Sequence, residues 1–154
     1  MKKIFLVLTA LVFIGAAQQL QAQSTYRTAG GLYVDFGNGA SLVGPHVKHF
    51  LNSQDAIQGS ILFGSGATFI GLDYSYNKGI VNAPGLMWNV GVGPQVGFGH
   101  GNSDFLVRPA LGLEYKVPSV PIDFAFDWKP MWVLTHGSNF EAGRFGIAFR
   151  YVFH

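Results

Sequence analysis

From about residue 25 onward the chain alternates between apolar and polar positions with a period of two, the pattern of strands whose two faces meet different surroundings. The last segment shows it most clearly. Over 145–153 one face is Phe145, Ile147, Phe149, Tyr151 and Phe153, and the other is Gly146, Ala148, Arg150 and Val152. Residues 120–129 repeat it, with Ile122, Phe124, Phe126 and Trp128 opposing Asp123, Ala125, Asp127 and Lys129. So do 105–116 and 86–99. Weaker alternation runs over 25–36, 41–51, 56–64 and 67–77. Glycine, asparagine, serine and proline clusters separate the segments, as at Gly37-Asn38-Gly39, Gly64-Ser65-Gly66 and Gly101-Asn102-Ser103.

Eight strands with short connections predict antiparallel neighbours, and an even count lets the first strand close on the last. The expected fold is all-β: an eight-stranded antiparallel up-and-down transmembrane β-barrel. Side-chain size selects this over a soluble secreted ligand-binding barrel, the alternative. The apolar face is bulky and the other is rich in Gly, Ala and Ser, which suits a crowded interior with large side chains turned to lipid. The nine residues of 77–85 are a long connection for the side that holds the termini.

The charged residues follow the small face. Arg27, Asp35, Lys48, Asp73, Arg108, Glu114, Asp123, Asp127, Lys129 and Arg150 are expected to line the lumen as a paired network, leaving a plugged interior. Toward lipid at midplane, each basic residue would cost about 2–4 kcal/mol. Trp88, Trp128, Trp132, Tyr74, Tyr76, Tyr115 and Tyr151 can serve as interfacial girdles or as ordinary lipid-facing bulk.

Residues 1–22 form a separate unit that reads as a cleaved export signal. Lys2-Lys3 precede an apolar stretch over 4–17, then a polar segment ending at Ala22. Residues 23–154 form the barrel domain, which export would deliver to the outer membrane. Composition narrows the rest. There is no cysteine, which excludes disulfides and thiol chemistry. Without Lys2 and Lys3 the chain carries eight basic and eight acidic residues, and no basic cluster suggests nucleic acid.

The chain resembles a family of small bacterial outer-membrane β-barrel proteins. The resemblance spans about 30–153 and is carried by Val47-Lys48-His49-Phe50-Leu51, Gly112-Leu113-Glu114-Tyr115-Lys116, the run from Pro121 to Pro130 and the aromatic last strand. It implies insertion by the outer-membrane assembly machinery and outer-membrane lipid as surroundings. Here Phe153 is followed by His154, where such proteins end on an aromatic residue.

His136-Gly137-Ser138-Asn139 resembles the His-x-Ser-Asn motif of outer-membrane lipid A deacylases. That resemblance implies an acyl hydrolase in which His136 activates Ser138 and a carboxylate orients the histidine. The family's carboxylate has no counterpart over 143–154, which leaves Glu141. A solvated loop and a non-catalytic structural or interaction role is the other reading. No cofactor is expected, and no metal: His46 and His49, three apart, point to opposite faces of a strand. His46 is expected in the lumen and His49 at the interface, and with His100 they are the histidines that invite a metal reading. Asp123 and Asp127, about 13 Å apart along a strand, are too distant for a glycosidase pair and are expected to meet lumen cations.

Overall fold

The computed structural model describes residues 26–99 and 101–153. The expected export signal, His100 and His154 lie outside them. The strands are β1 (Thr28–Gly37), β2 (Leu42–Phe50), β3 (Asp55–Gly64), β4 (Ala67–Gly79), β5 (Leu86–Gly99), β6 (Asn102–Lys116), β7 (Ile122–Trp128), β8 (Met131–Val133), β9 (Asn139–Glu141) and β10 (Arg144–Phe153). Among the described residues there is no helix.

Each strand pairs antiparallel with the next from β1 to β7, β7 pairs with β10, and β10 pairs with β1, so the sheet closes. Eight walls result, because β8 prolongs β7 past a break at Lys129-Pro130 and β9 leads into β10 past Ala142-Gly143. Pro130 offers no amide to the ladder. The short β8 and β9 are additions to the eight predicted segments. They pair with each other, and β8 also pairs with β6 at Leu106 and Val107.

The registers fix the stagger. Trp128 pairs with Phe145, and Phe145 with Phe36 of β1. In the other direction Trp128 leads to Leu111, Val90, Tyr76 and Asp55. Carrying the β2–β3 register one residue further leads to Leu51, and the β1–β2 register two residues further to Tyr26. The circuit returns to the first wall ten residues from Phe36. Such a stagger over eight strands tilts them by about 40–45° to the barrel axis.

The alternation of the sequence becomes an inside and an outside. Leu72 is 59% exposed and Phe149 50%, whereas Arg108 and Arg150 are each 1% exposed. Two apolar layers cover the ends of the lumen. Tyr26, Ala29, Phe50, Ala56, Met87 and Val152 close the end that carries the chain termini. Leu42, Leu62 and Phe69 belong to the layer nearer the opposite, turn end.

The connections are tight at both ends. Ser65 (φ 51°) and Gly66 (φ 74°) form a two-residue hairpin with two left-handed residues, whose twist matches that of the strands it joins. The long connection expected over 77–85 shrinks to 80–85, because β4 continues to Gly79. The Ile80 amide donates to the Leu86 carbonyl and closes that turn.

Candidate functional site

The lumen holds two ionic clusters. Near the terminal end Glu114 is the hub. Its Oε2 accepts from Lys48 Nζ at 2.5 Å and Arg150 Nη2 at 2.7 Å, and its Oε1 accepts from the Tyr26 hydroxyl at 2.6 Å. Arg150 Nε donates to Asp123 at 2.5 Å, and Lys48 also donates to Asn77 at 2.6 Å. These groups come from β2, β4, β6, β7, β10 and, with Tyr26, the segment before β1, so the network ties distant walls together.

Nearer the turn end Asp35 is the hub, paired with both Arg108 and Arg144. Arg108 also donates to the carbonyls of Lys129 and Pro130, which the break after β7 leaves free of the ladder. Arg144 donates to the carbonyls of Asn38 and Ala40 at 2.7 Å each, fastening the β1–β2 turn. Lys129 Nζ reaches Asp73 at 2.6 Å. Between the clusters Tyr33 lies beside His46, ring centroids 5.1 Å apart, and donates to Asp127 at 3.4 Å.

Small residues make room for these groups. A Cβ at Gly146 would collide with the Tyr33 ring and hydroxyl, and one at Gly112 with the Asp127 carboxylate. The glycines of the inner face are therefore the floor on which the polar side chains rest.

Most of the charged residues expected in the lumen are buried there, and two expectations change. Arg27 is exposed. The extended chain bends at that residue, so Tyr26 enters the lumen instead, donating to Glu114 and packing edge-on against Phe50. Asp127 is buried, but its hydrogen bond comes from Tyr33 and not from a cation, since Lys129 is engaged by Asp73. Arg144 was missing from the expected set. It lies one residue before the segment in which the alternation is read, on the inward parity of Gly146 and Arg150.

The histidines of β2 face opposite ways. His46 is buried in the lumen, while His49 is half-buried and meets the Thr28 hydroxyl at 2.8 Å on the outer side. Among the described residues no group of three His, Asp or Glu side chains is arranged to hold a metal ion.

The rim at the turn end holds the residues of the hydrolase motif. His136 Nδ1 lies 3.2 Å from Asp104, which also accepts from the Thr135 hydroxyl at 2.8 Å. Ser138 Oγ accepts from the Trp132 indole at 2.9 Å. Glu141 is engaged elsewhere, accepting from Asn38 at 2.8 Å and the Gly143 amide at 3.0 Å.

Glu141 therefore does not orient His136. The β8–β9 register pairs Glu141 with Met131 and turns it toward the β1–β2 side, while the hairpin tip leans on β6 at Asp104. His136 is itself left-handed (φ 57°) at that tip. Asp104 is 32 residues away in sequence, and only the fold brings it to the histidine.

No protein-family model and no curated protein matches the chain. Among solved structures it is similar to one described as "De novo design of transmembrane beta-barrels", with a TM-score of 0.58 and 13% identity over 84% of this chain and 98% of that one. At that identity the likeness concerns the fold alone: a closed eight-stranded antiparallel transmembrane β-barrel.

Proposed function

We propose that the protein is an integral outer-membrane β-barrel of a Gram-negative bacterium, exported by a cleaved signal at residues 1–22, with a filled lumen and a structural or interaction role. Its relatives on this reading are the small bacterial outer-membrane barrels, inserted by the assembly machinery. The observation that carries it is the inversion of the usual globular arrangement. Bulky apolar side chains cover the outside of a closed barrel, while paired ions fill the inside. Water outside would leave thirty large apolar side chains of the described residues unburied. Acyl chains satisfy them, and closure satisfies the backbone.

The two ionic clusters and the apolar layers leave little room for a solute to cross. At the rim Asp104 takes the place expected of Glu141 beside His136, but Ser138 is bonded to Trp132 and, among the described residues, not to His136, which favours the non-catalytic role over acyl hydrolysis. The test is expression in a Gram-negative host. The protein should fractionate with the outer membrane, run faster on gels unheated than boiled, and give no steady conductance in planar bilayers. Recovery as a soluble monomer without detergent would overturn the membrane reading. Acyl release from lipid A that disappears in Ser138→Ala would overturn the non-catalytic one.

A further inference from the structure

The walls of the barrel are not of equal height. β1 and β2 have ten and nine residues, whereas β5 and β6 have fourteen and fifteen. The surplus stands at the turn end, where β8 and β9 lean on β6 beyond the last pair of β1 with β10, Gly37 with Arg144. A tilted strand gains about 2.3 Å of height per residue, so this side rises about 10 Å above the β1–β2 side. The short side, at about 23 Å, already matches an apolar band of about 25 Å.

A hairpin rising into water should carry charge on its outer face, and this one does not. Val96, Phe98, Phe105, Trp132, Leu134 and Phe140 face outward on it, with Ser103, the partner of Phe98, beside them and no charge. The registers make them contiguous, since Val96 pairs with Phe105 and Trp132 with Phe140, and the Leu134 amide bonds the Phe105 carbonyl. The one polar tip among them is internally satisfied, because the Trp132 indole donates to Ser138 within its own hairpin. Asp104, Thr135 and His136 bond one another at the same tip.

We propose that lipid acyl chains cover the outer face of this tall wall, so that the barrel meets thicker hydrocarbon on the β5–β9 side than on the β1–β3 side. The inference rests on the membrane reading above. The occupant follows from continuity with the lipid-facing belt, from the absence of outward charge and from the indole proton being bonded inside the protein. A headgroup contact or an aqueous setting would call for free donors and charges there. The mismatch between the two sides is absorbed by tilt of the barrel or local thickening of the bilayer.

The test uses single-tryptophan proteins refolded into phosphatidylcholine vesicles with or without brominated acyl chains. W88F/W128F retains Trp132 on the wall, and W88F/W132F retains Trp128 in the belt. Both should keep the heat-dependent gel shift. Bromolipid should quench Trp132 to the same extent as Trp128, and aqueous iodide should quench neither. Iodide quenching of Trp132, with Trp128 quenched by bromolipid, would place the wall in water and overturn the proposal alone. Trp132 shielded from both quenchers, in protein that cross-links as an oligomer, would mean a second copy covers the wall and would also overturn it. Failure of bromolipid to quench Trp128 would overturn the membrane reading itself.

Discussion

Glu114 and Asp104 lie on the same strand, β6, and share its inward parity, yet they work under opposite conditions. Glu114 is 1% exposed and gathers Lys48, Arg150 and Tyr26 from three separate places in the chain. Asp104 sits at the rim and takes its two partners, Thr135 and His136, from one hairpin tip. Height along the strand makes the difference. Within the belt a charge has no water to turn to and must be met by protein. At the rim, solvent screens the same chemistry and the pairing holds little more than a loop.

The largest effect should come from Glu114→Ala. Lys48 would lose its ionic partner and Arg150 one of two, and breaking a buried pair in this way costs about 3–5 kcal/mol. Urea unfolding of vesicle-inserted protein, followed by the gel shift, should show a much lower midpoint. Glu114→Gln keeps the shape and one acceptor oxygen, and should fall between that variant and the wild type. An unchanged midpoint for Glu114→Ala would mean that the lumen charges are hydrated and the network adds nothing.

Glycines sharpen the same contrast. Gly146 is a floor for Tyr33, whereas a Cβ at Gly137, on the rim, would meet open space. Gly146→Ala should destabilise by about 1–3 kcal/mol, the range for overpacking a filled interior. Adding Tyr33→Phe removes the colliding hydroxyl and should recover part of the loss. No recovery in the double variant would mean that the strain is taken by the backbone and not by Tyr33.

The same division explains what the amino-acid order revealed. The outer face was legible because it is written locally: in 145–153, 120–129 and 105–116 each residue's side follows from its neighbours two positions away. The lumen was legible in kind but not in pairing. Asp123 and Arg150 meet across β7 and β10, and Asp35 and Arg108 across the lumen, at separations no local pattern reports. Arg27 was misplaced because alternation was carried through the bend that admits Tyr26. At the rim the period ends altogether. There β8 and β9 are three residues each, too short to show alternation, and the Asp104–His136 contact depends on how their hairpin leans.

The smallest effect belongs to that contact, and it can be read without disturbing the barrel. At the hairpin tip Asp104 accepts from the Thr135 hydroxyl and lies against His136, and all three belong to the rim. Asp104→Asn should leave the unfolding midpoint unchanged within error, since the group is open to solvent. A midpoint that dropped with Asp104→Asn as it does with Glu114→Ala would show that the rim carries part of the barrel's stability, and that burial does not separate the two carboxylates.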